Sequence, residues 1–507
     1  MTQVAATGAD RWQALYPEIV LAVTAMVILL LDSIWPRVRP RVHAVLAFGG
    51  IAGAAVAAAA QWDQGAGAAL AEMVAVDRFG VGVRMVILLA AMLAVLMAPG
   101  YLAPRDMERS EFYSLLLLST AGMTMLSVST NLILVFINIE LLSLAIYVLA
   151  GFDRSRLESQ EAAMKYFLLG AFSSAFLLYG TAFVYGAAGT TNLLDLGALT
   201  GSASLESFRL VAVAAALLVV GLGFKVALVP FHMWTPDAYQ GAPTPVTAFM
   251  AGGTKAAAFA ALVRVFVVAM QDLRWDWRPP LVVLAAVTIV FASILAIAQT
   301  DLKRMLAYSS VAHAGFVALG VIAATRAGVA SVLFYLAVYT VMTIGAFGCL
   351  MLFGGDGPER THLAKFSGLG VRHPAAAALF ALFLFALAGI PPTGGFFAKL
   401  HVFMAVVRAG YPWLAVVAVL GSVAAAFFYV RVAVVMFMQD PLEGDEQPTP
   451  SPAVGLRVAL AICLVGVLAS GVLPGPLLDL AQRAASFAPA GASPEPSAGG
   501  LRMGGNP

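Results

Sequence analysis

Four ionisable residues of this chain stand inside long apolar runs. Glu140 sits in Asn138-Ile-Glu140-Leu-Leu-Ser, Lys225 in Gly-Leu-Gly-Phe-Lys225-Val-Ala, Lys255 in Gly-Gly-Thr-Lys255-Ala-Ala-Ala, and Lys399 in Phe-Phe-Ala-Lys399-Leu-His401. A charge at the centre of a bilayer costs roughly 2.5–3.5 kcal/mol on insertion scales, so such residues point to charge movement. The cations are lysines. Of the 29 Lys and Arg residues only six are lysine: Lys165, Lys225, Lys255, Lys303, Lys365 and Lys399. Loops use arginine almost throughout, yet lysine dominates the interior. Buried lysine gives up its proton readily, whereas arginine effectively does not. A proton path needs groups that hold either state. Glu140 near Lys225 would hold that lysine charged, and withdrawing its influence would release the proton onward. His232, seven residues after Lys225, falls on the same side if the helix continues, and histidine is a natural relay. His313, in Ser-Ser-Val-Ala-His313-Ala-Gly, and Lys165, early in its segment, are further candidates. Each has a plainer reading. Lys165 would snorkel to the interface, Glu140 would be a counter-ion, His232 would bridge backbone at a helix break, and His313 would be a packed polar residue. His401 falls on another face from Lys399 and reads as structural. Arg264 and Arg431 read as pairing with lipid headgroups or acids.

The elements that position these groups follow from composition. The chain has 507 residues, 61% hydrophobic and only 11% charged. Soluble domains carry about 25% charged residues, so soluble, nucleic-acid-binding and disordered classes are excluded. Two cysteines, Cys349 and Cys463, cannot hold an iron–sulfur cluster, a structural zinc or a disulfide framework. No dinucleotide, P-loop or zincin motif occurs. Ser309 and Ser310 near His313 have the composition of a hydrolase site but no nucleophile elbow.

A spanning helix needs about 20 mostly apolar residues. About fourteen such segments occur, near 16–35, 42–60, 79–98, 111–129, 131–150, 162–187, 208–230, 244–269, 280–298, 304–324, 329–353, 374–407, 412–438 and 453–473. The fold class is therefore an all-α polytopic membrane protein. Continuous apolar runs exclude a β-barrel, and the first segment reads as a retained helix rather than a signal peptide. Odd-numbered loops carry most of the basic residues, including Arg37, Arg39, Arg105, Arg154, Lys303 and Lys365. They are expected on the cytoplasmic side, with both termini outside. The loop 439–452, with Asp440, Glu443, Asp445 and Glu446 and no base, runs weakly against this.

Two segments read as broken. Segment 7 ends at Pro230, followed by the polar stretch His232-Met-Trp-Thr-Pro-Asp237. Segment 12 is interrupted by Pro391-Pro392-Thr-Gly-Gly395. Proline and glycine interrupt helices, and breaks at membrane depth are tolerated only against protein or a watery cavity. Interrupted segments five helices apart predict two inverted repeats, segments 4–8 and 9–13. The expected organisation is an N-terminal three-helix part (1–110), the first repeat (111–270), the second (271–438), a C-terminal helix (439–483) and a disordered tail (484–507).

Longer stretches then resemble a known family. Lys225-Val-Ala-Leu-Val-Pro-Phe-His232-Met-Trp-Thr-Pro-Asp237-Ala-Tyr-Gln-Gly-Ala-Pro-Thr-Pro-Val and Ala298-Gln-Thr-Asp301-Leu-Lys303-Arg304-Met-Leu-Ala-Tyr-Ser-Ser-Val-Ala-His313 are similar to signatures of the antiporter-like membrane subunits of respiratory complex I. Leu-Ala-Gly-Ile-Pro-Pro-Thr-Gly-Gly-Phe-Phe-Ala-Lys399 fits the same family. The first motif alone is shared with Mrp-type cation antiporters. The resemblance implies a fourteen-helix subunit of an NADH–quinone oxidoreductase in the bacterial inner membrane, with a proton channel driven by quinone reduction elsewhere. Its helix-5 glutamate falls on Glu140, and its helix-7, helix-8 and helix-12 lysines on Lys225, Lys255 and Lys399. Lys165 matches a further lysine. It also implies no cofactor in this chain, with flavin, iron–sulfur clusters and quinone in other subunits. Partners would be other complex I membrane subunits and lipids, not nucleic acid. Rival readings are an Mrp-type Na⁺/H⁺ antiporter subunit and a non-pumping scaffold.

Overall fold

The computed structural model describes residues 12–35, 40–64, 67–199, 205–354, 357, 359–441 and 450–487. Arg37, Arg39, Glu443, Asp445, Glu446 and the tail from 488 lie outside the described residues. The spanning elements follow the apolar runs. They are α1 (Tyr16–Ile34), α2 (Pro40–Ala59), α3 (Arg78–Leu102), α4 (Ser110–Val128), α5 (Leu132–Ala150), α6 (Leu157–Ala188) and α7 (Leu205–Val226). They continue as α8 (Thr244–Ala269), α9 (Arg274–Ile297), α10 (Leu302–Ala323) and α11 (Arg326–Leu352). The last three are α12 in two halves (Pro374–Ala388 and Gly394–Arg408), α13 (Pro412–Met438) and α14 (Val454–Val472). Thirteen described helices are long and apolar enough to cross a membrane, and the fourteenth crossing is the split α12.

Both breaks expected from Pro and Gly are present, and they share a backbone pattern. α7 stops at Val226, Ala227 takes φ +67°, and Val229–Pro230 is cis. The first half of α12 stops at Ala388, Gly389 takes φ +85°, and Pro391–Pro392 is cis. A short helix, Trp234–Gly241, follows the first break. It is held by the Trp234 indole donating to the Phe224 carbonyl at 2.9 Å and stacking on Tyr166 at 4.3 Å. At the second break the halves approach so closely that a Cβ on Gly395 would lie 1.8 Å from the Ala386 carbonyl oxygen, so only glycine fits.

A second correspondence lies at the helix starts. Asn131 caps α5 and Asp301 caps α10, each accepting from a backbone N–H of the first turn at 2.9 Å. Beside each cap two chain segments form one antiparallel bridge. Leu132 N–H donates to Thr191 O and Leu193 N–H to Thr130 O; Leu302 N–H donates to Thr361 O and Leu363 N–H to Thr300 O. Each capping side chain also bonds a threonine hydroxyl 60 residues on, Asn131 with Thr191 and Asp301 with Thr361. Five spans separate the two devices, which places them on opposite faces of the membrane region.

Some elements were not foreseen. A small hairpin pairs Gly67–Ala69 with Val74–Val76. α8 contains two π-helical turns, Met250–Thr254 and Val263–Ala269. The region expected to hold one C-terminal helix holds a second, Pro474–Ala484, which packs on α3 and α11. α10 lies at the centre, in contact with α9, α11, the second half of α12 and helix Trp234–Gly241. It is buried along its length, Lys303 included.

Candidate functional site

The lysines of the broken helices and of α8 turn inward. Lys225, Lys255 and Lys399 are all buried. Lys225 donates to the Ser143 hydroxyl of α5 at 2.7 Å and lies 5.4 and 5.8 Å from the rings of Phe224 and Tyr147. Lys255 starts the regular turn after the first π-helical stretch, donates to the Ser310 carbonyl, and lies 5.9 Å from the Tyr339 ring. A π-bulge shifts the register of the side chains beyond it, and such bulges are frequent at functional sites. Lys399 donates to the Ala388 carbonyl and to the Ser422 hydroxyl, both at 2.7 Å, with the Phe316 ring 5.0 Å away. Among the described residues none of the three is in an ion pair.

Glu140 is half-buried on α5 and accepts from the Ser174 hydroxyl of α6. It does not pair directly with Lys225. Ser143, one turn on along α5, stands between them, because residues three apart share a helix face. Ser143 itself donates to the Ile139 carbonyl, so its oxygen is oriented to accept from Lys225.

His313 lies on α10 between Lys255 and Lys399. Its Nδ1 is 2.7 Å from the Tyr335 hydroxyl and its Nε2 is 3.4 Å from the Tyr429 hydroxyl, which also bonds Ser309. An imidazole between two hydroxyls accepts a proton at one nitrogen and gives one up at the other. Ser310, whose carbonyl holds Lys255, is one turn before His313, and Phe316, beneath Lys399, is one turn after it.

The remaining candidates stand apart. α7 ends one residue after Lys225, so the premise that placed His232 on its face does not hold. His232 is buried in the break, with its ring against Phe291 and Tyr308 and its Nδ1 without a hydrogen-bond partner among the described residues. Lys165 is 45% exposed and pairs with Glu161 at 2.6 Å and Asp237 at 2.9 Å. Asp237 also pairs with Arg304 at 2.6 Å. Burial pushes the Asp237 carboxyl up, but Lys165 and Arg304 outweigh it and hold it below its ordinary value. Arg264 meets an acid, Asp77, through two bonds of 2.9 and 3.0 Å. Arg431 is in no ion pair among the described residues. It donates to the Ile297 and Gln299 carbonyls and so closes the C-terminal end of α9.

One buried cluster was missed by reading along the chain. Lys303, read as a loop cation, is fully buried and donates to Glu359 at 2.8 Å and to the Ala242 carbonyl at 2.6 Å. Glu359 also accepts from Arg156 at 3.0 Å, Tyr101 and Thr244. Burial raises the Glu359 carboxyl, but Lys303 foremost outweighs it and brings it down to about 2. Nothing in local spacing joins these five residues. The only hint was a lone glutamate in the basic loop after α11.

The transmembrane family described as NADH:quinone oxidoreductase/Mrp antiporter matches residues 129–425, from the cap of α5 to α13. The subunit N of NADH-quinone oxidoreductase from Trichlorobacter lovleyi is 40% identical, over 92% of this chain and 96% of that one. The one from Chloroflexus aggregans is 42% identical with the same coverage. A chain in the structure of respiratory complex I from Thermus thermophilus with bound aureothin is 35% identical. It superposes with a TM-score of 0.78 over 92% of this chain and 99% of that one. A chain of the Mrp complex from a Dietzia species shares the fold, with a TM-score of 0.81 at 24% identity over 93% of this chain and 97% of its own. The shared fold does not separate the two kinds of complex, but identity over nearly full length does: the chain belongs to the NADH:quinone oxidoreductase/Mrp antiporter membrane family, within its NADH-quinone oxidoreductase subunit N branch.

Proposed function

We infer that this chain works in the membrane arm of a bacterial NADH–quinone oxidoreductase, alongside its other membrane subunits, and translocates protons there. One observation carries the reading. The buried cations with structural roles are locked to carboxylates: Lys303 to Glu359, Arg84 to Glu18 and Arg264 to Asp77. Lys225, Lys255 and Lys399 are held instead by hydroxyls and carbonyls, which permit loss of the proton. An ion pair would fix the charge, whereas a neutral partner leaves it free to change.

Lys225 takes protons from the odd-loop side. Lys255 carries them along the middle of the membrane through the His313 hydroxyl bracket. Lys399 exchanges with the other side or with the next subunit. Glu140 sets the charge state of Lys225 through the Ser143 face and couples it to a neighbour. Lys165 and His232 serve at the mouth near the first break. Odd loops face the cytoplasm and both termini face outward. Flavin, iron–sulfur clusters and the quinone site belong to other subunits.

In the assembled complex, Lys225→Met or Lys399→Met should lower NADH-driven pumping per electron while assembly is retained. Parental pumping in both variants sinks the assignment. Sodium-dependent exchange without NADH would favour the antiporter reading. Lost assembly with an unchanged proton-to-electron ratio would favour the scaffold.

A further inference from the structure

We propose that protons leave this chain through the cavity of about 550 Å³ between α11, the second half of α12 and helix Pro474–Ala484, and that His401 exchanges them with water there. The proposal rests on the proton-translocating reading above. The cavity is lined by Ala330 and Ser331 of α11, by His401 and Met404 of α12, and by Leu478 and Gln482 of the C-terminal helix. It lies toward the even-loop end, since Arg326 opens α11 and Arg408 closes α12, and both line it.

A line of polar groups leads inward from it. Ser331 is buried and lines the cavity. One turn along α11 stands Tyr335, whose hydroxyl meets His313 Nδ1 at 2.7 Å. Ser331 and Tyr335 are one turn, about 6 Å of helix rise, apart on α11, and the route as proposed needs water to link their hydroxyls. His313 thus has an outlet on the side away from Tyr429.

His401 is suited to the outer end. Its Nδ1 is 2.7 Å from the Phe397 carbonyl, one turn back on the same helix. A carbonyl only accepts, so Nδ1 carries the hydrogen and the tautomer is set. Nε2 is left as the acceptor, with no protein partner among the described residues. A group that accepts from one water and returns the proton to another needs this arrangement. The charged groups that line the cavity with His401 are Arg326 of α11 and Arg408 of its own helix, and among the described residues no carboxylate lines it. Arg326 is tethered to the Gln482 carbonyl at 3.3 Å. Two cations lining the cavity oppose entry of Na⁺, whereas a proton passes by exchange between water and imidazole.

The test uses the whole complex. Cells carrying Met404→Cys are treated with a membrane-impermeant thiol reagent, which reaches only the outer face, and inverted vesicles are then prepared. NADH-driven pumping per electron is compared with the untreated Met404→Cys preparation, with His401→Phe and with Lys399→Met. Labelling at Met404→Cys should lower the ratio toward that of Lys399→Met, and His401→Phe should do the same with NADH oxidation retained. Should labelled Met404→Cys and His401→Phe both pump at the parental ratio while Lys399→Met is impaired, the outlet lies elsewhere and the proposal is overturned. If Lys399→Met also pumps at the parental ratio, the translocating reading fails and takes the proposal with it.

Discussion

The two broken helices carry the same backbone device and opposite electrostatics. In each, a helix end is followed by one left-handed residue and, three residues on, by a cis proline: Ala227 and Pro230 after α7, Gly389 and Pro392 in α12. The lysines are placed differently. Lys225 precedes its break and is held by Ser143, on the α5 face that bears the half-buried Glu140. Lys399 follows its break and is held by the carbonyl that ends the first half of α12. A helix C-terminus carries partial negative charge, and this one is fixed in place by the close approach at Gly395. The first lysine is therefore compensated by a half-buried side chain, and the second by the backbone carbonyl that ends a tightly packed helix. In the proton-translocating reading proposed above, the first would be switched and the second would relay.

The largest expected effect separates these roles. Glu140→Gln should lower pumping per electron as far as Lys225→Met does, and the double variant should be no worse than either single one. Combined with Lys399→Met it should add. Residues in one network couple by 0.5–3 kcal/mol, and independent sites add within about 0.5. A strong coupling of Glu140 to Lys399 instead would erase the distinction.

The next effect concerns the buried carboxylate that ties the starts of α6, α8 and α10 together. Glu359 joins Thr244 at the start of α8, Arg156 before α6, and Lys303 at the start of α10. Removing its charge strands Lys303 in the interior, and breaking a buried pair costs about 3–5 kcal/mol. Glu359→Gln should lower the thermal stability of the purified complex accordingly. The pH dependence has a definite sign. The folded carboxyl sits at about 2, against 4.5 ordinarily, so its stabilisation is complete above about 4.5 and is lost as pH falls toward 2. Melting followed from pH 6 downward should show this decline in the parental chain and a flatter course in Glu359→Gln.

What was legible along the chain follows the range of the forces involved. Span positions and both breaks are local properties of apolar run length, proline and glycine, and they appear where expected. The inward lysines were legible because a charge in an apolar run needs a reason. The partners were not. Ser143, Ser310 and Ser422 are ordinary serines until a neighbouring helix brings a lysine to them, and Tyr335 and Tyr429 flank His313 only through packing. Lys303 was misjudged because it sits one residue into α10, where a loop cation and a buried one look alike. The correspondence between the two bridges has a trace in the sequence that composition hides: Thr-Asn-Leu at 130 and 191 answers Thr-Asp-Leu at 300 and Thr-His-Leu at 361. Those short strings become meaningful once each pair is seen to form the same bridge.

A smaller effect tests how each ammonium is held. Ser143→Ala removes the one hydrogen bond that Lys225 makes among the described residues, and bonds to charged groups contribute about 1.5–3 kcal/mol. Ser422→Ala leaves Lys399 its carbonyl at 2.7 Å. Pumping per electron should fall more for Ser143→Ala. Equal losses would mean that the carbonyl does not compensate Lys399 as its position suggests.

The smallest effect probes the backbone device itself. Ala227 holds φ +67° with a Cβ, a conformation that costs an L residue roughly 1–2 kcal/mol. Ala227→Gly removes that strain but gives the unfolded chain about 0.4–1 kcal/mol of added freedom. Its net effect on stability should lie between about 0 and about 1.6 kcal/mol of gain, with pumping unchanged. Gly389→Ala runs the other way. It adds the same strain at φ +85° and sets a Cβ 2.9 Å from Lys399 Cδ, so the lysine stem that bonds the Ala388 carbonyl must give way. That variant should lose about 1 kcal/mol of stability and also lower pumping per electron. If both substitutions moved stability alone, the left-handed residues would only shape the breaks. A pumping defect confined to Gly389→Ala would show that in the second break the backbone turn and the lysine are one device.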